Sequence, residues 1–411
     1  MTQLLKRPAV AALLIALAAQ LLFAINLTRP STLVFDEVHY VPATRTLMAL
    51  ERPANIEHPL LGKEIIGASM AVFGDNALGW RAASTLAGTA SVLGVFGILM
   101  LLFGSVRTAT FGALFACANV TLFIQARIAM LDVFMGAFVL LGIAALLWAM
   151  RAEREHVMRR WLLGSVLLGL GTAVKWAAAP YVAFAALGFL GLKASRGDLW
   201  PGLGTVRGVA ILGGASIAAY FVTFLPAFFY GVDALTPGQL LPFQWEIYQR
   251  QTQVLPPHPY QSDWLSWPFG IRPIWYLYEP VDGAVRGILL VGNPAVMWGG
   301  LVAIAVLLWS WRRGSAKAGA VALLWIASLG VFAVIPKSLG FYYYYHLSGL
   351  FLCVALAAAF HLHATGPRAR WIEWYAIACV ALFVWFYPII SAAALPHAQA
   401  FNHWMWFDSW R

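Results

Sequence analysis

Residues 9–40 read AVAALLIALAAQLLFAINLTRPSTLVFDEVHY. The first part, about 9–27, carries no charge and is long enough to cross a bilayer, which takes roughly 20 apolar residues. Directly beyond it comes Phe35-Asp36-Glu37-Val38-His39-Tyr40, followed by Glu57-His58-Pro59-Leu60-Leu61-Gly62-Lys63-Glu64. Asp36, Glu37, His39, Glu51, Glu57, His58, Lys63 and Glu64 are gathered here in a chain that is only 11% charged. Ionisable groups beside a membrane are costly to desolvate, so a dense set of them points to chemistry or to a charged ligand. A solvated loop between two helices is the plainer account.

Working outward, the chain has 411 residues, 61% of them hydrophobic. A soluble domain averages roughly 25% charged residues, so this is a polytopic, all-α membrane protein. Apolar stretches that can span a bilayer fall at about 9–27, 80–103, 108–126, 129–149, 161–175, 177–192, 208–230, 288–311, 318–336, 340–361 and 371–390. That makes about eleven crossings. The N-terminal run, after Lys6 and Arg7, has the look of a signal peptide, but Ala24-Ile25-Asn26 is a poor cleavage site and we read a first helix. Cys117, Cys353 and Cys379 all sit in apolar runs without CxxC spacing, so small core residues are expected there rather than metal ligands or disulfides.

The net charge of +10 is distributed by side. With a cytoplasmic N-terminus, the inside connections hold fifteen basic residues, among them Lys6, Arg7, Arg151, Arg207 and Arg312, against four acids. The rest of the chain holds twelve basic residues and thirteen acids. The excess of Lys and Arg on one side is a topology signal and not a nucleic-acid signal. Two long connections are left outside. In the first, about 28–79, Val38–Leu50 and Leu60–Phe73 have helical spacing but are too short and polar to span, and interfacial helices are expected. The second, about 231–287, is rich in proline and aromatics. Trp404, Trp406 and Trp410 near the C-terminus suit an aromatic belt.

Several ionisable residues arrive at the same membrane level as Asp36 and Glu37. Arg81 opens the second span, Arg127 and Asp132 flank the turn between the third and fourth, Lys175 follows the fifth, and Lys337 and His346 surround the start of the tenth. Any one of them could be a snorkelling anchor, and Arg127 with Asp132 could pair across their turn. A mixed set of acids and cations suits a reaction in which a hydroxyl loses a proton while an anion departs.

The ordered series of motifs resembles the protein O-mannosyltransferase family, membrane enzymes of the GT-C glycosyltransferase class. The likeness rests on Phe35-Asp36-Glu37-Val38-His39-Tyr40, on His58-Pro59-Leu60-Leu61-Gly62-Lys63, on Gly79-Trp80-Arg81 and on Arg127 to Asp132. It continues through His258-Pro259-Tyr260, Ser262, Trp264, Trp267-Pro268, Arg272-Pro273-Ile274, Gly292-Asn293-Pro294 and Tyr345-His346. Leu60 departs from the family's usual His-Pro-Pro-Leu-Gly-Lys. Eukaryotic members carry a β-trefoil MIR domain in the second external loop, for which the roughly 57 residues at 231–287 are too few. The chain is therefore similar to the shorter bacterial form.

The resemblance implies a GT-C fold with a catalytic transmembrane module at 1–230, a second external loop at 231–287 and a C-terminal four-helix region at 288–411. It implies a bacterial inner-membrane enzyme that moves mannose from a polyprenyl-phosphate donor, with inversion, to Ser or Thr hydroxyls of exported proteins on the external face. Asp36 is expected as the general base, with Glu37 orienting the acceptor or holding a cation. Arg81 leads the expected ligands of the donor phosphate, followed by Lys63, His58, Lys175 and His346, with Arg127 and Asp132 in support. Trp264, Trp267 and His258 are candidates for sugar or acceptor contact, although tryptophans at this level also serve as interface anchors. No cofactor is expected, the lipid-linked sugar being a substrate. No metal is expected either, since Asp36-Glu37 is not a spaced Asp-x-Asp, although Glu37, His39 and His58 are capable ligands. A GT-C transferase acting on a lipid or glycan is the competing enzyme, and a transporter the competing class. Against the transporter, no half-repeat is visible and the charges lie at one face.

Overall fold

The computed structural model describes residues 7–411; Lys6, counted above among the inside basic residues, lies outside them. Helix α1 (Pro8–Ala24) starts with proline in its first turn, where the missing N–H costs nothing. Two short helices follow, α2 (Glu37–Met48) and α3 (Leu61–Phe73), close to where the spacing of apolar residues puts them. The Asn76 side chain caps α4 (Ala77–Phe103) by accepting from the backbone of Leu78 and Gly79, and Gly104 ends it in the left-handed region at φ +66°. Next come α5 (Val106–Cys117), α6 (Val120–Gln125), α7 (Leu131–Met150), α8 (Arg154–Val174), α9 (Ala179–Ser195), α10 (Thr205–Val222) and α11 (Leu240–Thr252). After a hairpin of β1 (Ile274–Val281) and β2 (Ala284–Leu290), the chain finishes with α12 (Pro294–Arg312), α13 (Ala316–Gly330), α14 (His346–His363), α15 (Trp371–Ile390) and the short β3 (Ala394–Leu395).

Nine helices among the described residues are long and apolar enough to cross a membrane. The two other expected spans fall short for different reasons. Helix α1 has 17 residues, a rise of about 25 Å against a hydrocarbon core of about 30 Å. The stretch 108–126 is broken where Asn119 interrupts the helix: its Oδ1 accepts from Leu122 N–H and the Thr121 hydroxyl, while its amide donates to Gly349 O. A buried amide with these partners is satisfied, so the break carries no unpaired polar group.

Helix α7 packs between α4 and α8, and α10 lies on α8. The α8–α10 approach depends on Gly169, where a Cβ would come within 2.3 Å of Ser216 O. Helix α14 is buried at every position from His346 to Ala358. Against α15 sits an unexpected sheet. β1 and β2 pair antiparallel, β3 extends the β2 side, and the order is β1-β2-β3. The turn Asp282-Gly283 has φ of +50° and +74°, the two-residue geometry whose twist matches that of the strands it joins. Sequence reasoning placed a span from 288; residues 288–290 instead finish β2, and the helix waits for Asn293-Pro294. Trp410 is likewise not a belt residue: it is buried against Phe386 and donates to Gly270 O.

Candidate active site

The acidic pair separates at its first backbone torsion. Phe35 takes a φ of +49°, a conformation that bulky residues rarely adopt. Its ring stacks on Tyr276 with centroids 3.9 Å apart and planes 12° from parallel. From there Asp36 stays half-buried, while Glu37 enters the protein and is fully buried.

Glu37 receives four hydrogen bonds. Arg81 donates from Nε (2.8 Å) and Nη2 (2.7 Å), and the backbone N–H groups of Val34 and Ala129 donate at 2.8 Å each. The rest of the Arg81 guanidinium reaches the carbonyls of Leu27 (3.2 Å), Pro30 (2.7 Å) and Thr32 (2.8 Å). All five guanidinium N–H groups are thereby engaged. Sequence reasoning gave Arg81 to the donor phosphate. In the fold it has no N–H left for a phosphate, and its partner is Glu37.

Lys63 is a similar case. Its ammonium is buried and donates to the carbonyls of Ala54 (3.0 Å), Asn55 (2.8 Å) and His58 (3.0 Å), closing the loop that holds His58. Burial pulls this ammonium down to about 7. His58 lies edge-on to Tyr40, with its Nδ1 3.4 Å from the Gln251 amide. Burial, assisted by Lys175, holds it well below the usual imidazole range, so it is neutral at physiological pH. A neutral ring is not the cation expected for a phosphate.

Arg127 does not pair with Asp132 across their turn. It donates to the carbonyls of Phe23, Ile25 and Asn26, finishing the C-terminal end of α1, and lies 5.0 Å above the Phe123 ring. Cations are favoured at that end of a helix. Asp132, at the start of α7, takes Lys175 instead, with Nζ 2.9 Å from each carboxylate oxygen and both groups buried. Lys175 also stands 5.2 and 5.1 Å from the ring centroids of Tyr343 and Tyr344. His346 opens α14, buried, with neither ring nitrogen bonded to protein. It lies against Gly136, where a Cβ would meet its Nε2 at 3.0 Å.

Asp36 is less committed than Glu37 or Asp132. Among the described residues its one side-chain hydrogen bond is from the Tyr40 hydroxyl, one helical turn on, at 3.3 Å. Burial pushes its carboxyl above the usual range, and Lys175 partly offsets this.

Two cavities adjoin the cluster. The larger, about 660 Å³, has apolar walls from Ala179 and Pro180 of α9, Ile217 and Phe221 of α10 and Ile335, with Lys175, Lys337 and Gln251 among its polar groups. The second, about 390 Å³, is lined by Asp263, Trp264 and Trp267 and shares Phe332, Ile335, Lys337 and Tyr344 with the first. Trp267 is buried and its indole N–H is held by the Ser262 hydroxyl, so it forms a wall. Trp264 is half-buried at the cavity. His258 is exposed, its Nδ1 accepting from Tyr260 N–H, and it does not line either cavity. Sequence reasoning assigned no role to Tyr40 or Gln251. Of these only Tyr40, four residues after Asp36 on one helix face, carried a local signal. Among the described residues, Glu153, Glu155 and His156 form the one group spaced to hold a metal, exposed between α7 and α8 and apart from this cluster.

Comparison with known proteins places these residues in a family context. A model described as dolichyl-phosphate-mannose-protein mannosyltransferase matches residues 57–211, and one described as the C-terminal four TMM region of protein-O-mannosyltransferase matches 237–410. The polyprenol-phosphate-mannose–protein mannosyltransferase of Mycolicibacterium smegmatis is 28% identical across 98% of this chain and 93% of the relative. Its namesake in Mycobacterium tuberculosis is 27% identical across 94% and 88%. Among solved structures, the S. cerevisiae protein O-mannosyltransferase Pmt1-Pmt2 complex bound to the sugar donor superposes with a TM-score of 0.84 at 13% identity, covering 98% of this chain and 92% of that one. ArnT from Cupriavidus metallidurans bound to undecaprenyl phosphate gives 0.61 at 16% identity, covering 94% and 66%.

Proposed function

The chain belongs to the protein O-mannosyltransferase family and has the GT-C fold, and on that premise we propose that it transfers mannose from a polyprenyl-phosphate donor to Ser or Thr hydroxyls of proteins. The observation that carries this reading is Asp36, a carboxylate with a single hydrogen bond among the described residues, close enough to feel the charges of the Asp132–Lys175 pair, whose lysine lines an apolar cavity. The cavity takes the polyprenyl chain, and Lys175 and Lys337 face the phosphate.

Asp36 accepts the proton of the acceptor hydroxyl as its oxygen bonds to C1 of the sugar. The bond from C1 to the phosphate oxygen breaks, and the electron pair leaves with the lipid phosphate. Attack opposite the leaving group inverts the anomeric centre. Preorganised cations stabilise the charge gathering on that phosphate, and Lys175, held between Asp132 and two tyrosine rings, cannot swing away. Glu37 and Arg81 act by position: they fix the backbone on both sides of Asp36. We place the enzyme in a bacterial plasma membrane with the N-terminus in the cytoplasm and Asp36 on the external side, as the distribution of basic residues favours. No metal takes part in this scheme, and full activity after exhaustive chelation is the expected outcome.

The test is transfer of labelled mannose to a Ser/Thr peptide by purified protein. Replacing Asp36 with Asn should cut kcat by about 10²–10⁴, the usual worth of a positioned base, with donor KM unchanged. Absence of transfer by the natural chain, or undiminished transfer by the variant, counts against the reading.

A further inference from the structure

Strand β1 stands at the edge of the sheet, and beyond its ladder to β2 none of residues 274–281 shares a backbone hydrogen bond with other backbone among the described residues. A cavity of about 370 Å³ touches the five consecutive residues 275–279, together with Tyr260 and Phe401. Successive side chains of a regular strand point to opposite faces; past the bulge between Trp275 and Leu277, a cavity that meets Leu277, Tyr278 and Glu279 in succession runs along the strand edge. β2 occupies the other edge. Five residues of extended chain cover about 16 Å.

Natural proteins protect such edges with proline, charge or a covering element. Here Pro280 and Glu279 blunt only the far end, at the hairpin turn. The near part, Ile274-Trp275-Tyr276-Leu277-Tyr278, carries neither proline nor charge, and its one irregularity is a bulge between Trp275 and Leu277. That near part is the part joined to the catalytic loop, through the stack of Tyr276 on Phe35, the residue before Asp36.

We infer that the acceptor polypeptide docks as an added strand on the open edge of β1, which leads its Ser or Thr to Asp36. The inference rests on the mannosyl-transfer reading and adds how the acceptor is held. Strand addition obtains affinity from main-chain hydrogen bonds whatever the side chains are, with pockets selecting alternate residues. Trp275, Tyr278 and Phe401 form an aromatic cluster along the groove. Glu279 is exposed and has no ion pair among the described residues, so the outer end favours a basic acceptor residue.

The test uses a peptide that the purified full chain mannosylates and a series in which single backbone nitrogens are methylated. Only alternate N–H groups of an added strand face the ladder. Methylation at one parity should raise the peptide KM about tenfold, the worth of one lost ladder bond; the other parity should have little effect, and donor KM should hold throughout. A response without alternation, on a parent peptide that is still mannosylated, overturns the strand-addition mode while leaving mannosyl transfer intact. If no Ser/Thr peptide is mannosylated at all, the transfer reading fails and this inference with it. As a second measurement, Glu279→Lys should reverse the preference between peptides bearing Lys and Glu at the outer end; an unchanged preference overturns that placement.

Discussion

Asp36 and Glu37 are neighbours with opposite duties. Glu37 is buried under four donors and bridges Arg81 to the backbone of Val34 and Ala129. Breaking such a pair leaves an uncompensated buried charge, at a cost of about 3–5 kcal/mol. Arg81→Ala should therefore lower thermal stability sharply; Arg81→Lys should rescue little, because an ammonium cannot span the same acceptors. A variant that melts like the parent but uses the donor poorly would return Arg81 to the phosphate. For Asp36 the prediction concerns pH. Burial raises its carboxyl above the ordinary value of about 3.9. Acidification through that raised value protonates the base, so kcat/KM for the acceptor should fall at a higher pH than an ordinary aspartate would give. The same shift makes this group's contribution to stability grow on acidification, because the folded state binds the proton more readily. Activity should thus be lost while the fold persists, and a limb at or below the ordinary range would argue for another base. The sequence marked Asp36, Asp132, Lys175 and His346 by type and level. It could not show how Arg81 and Lys63 are used, because apart from Glu37 their acceptors are backbone carbonyls, which every residue carries.

At the scale of elements, the apolar cavity is the property of α9 and α10 and the segment after α13. Gly213 of α10 lines it, and a Cβ there would meet no protein atom within 4 Å. Gly213→Leu should leave folding unaffected, occupy space meant for the lipid and raise donor KM while peptide KM holds. An unchanged donor KM would move the lipid elsewhere. Helical periodicity made α2, α3 and the long helices legible. The hairpin was legible as well, in Asp282-Gly283 between aromatic and branched residues, but it was hidden inside a stretch read as proline-rich loop. The break at Asn119 was not legible, because its cause is a set of partners more than 200 residues away, on α14.

Across the whole molecule, the connections on one side mix acids with cations and those on the other carry an excess of Lys and Arg. The proposed orientation makes a labelling prediction. A single cysteine at exposed Ser31 should react with an impermeant thiol reagent in intact cells, and one at exposed Glu155 only after permeabilisation. The reverse result would put Asp36 in the cytosol, where exported proteins have not yet arrived. The native cysteines, two buried and one half-buried, leave a low background. The excess of Lys and Arg carried this orientation in the sequence, since a rule about sidedness needs no tertiary contact.

Phe332, Ile335, Lys337 and Tyr344 belong to both cavities beside the charged cluster. One strip of chain is thus a party wall between two chambers, and a tenant on either side presses on the other. On the proposed seating of the lipid, the spent carrier relaxes as it departs a partition that also shapes the chamber of Trp264 and Trp267.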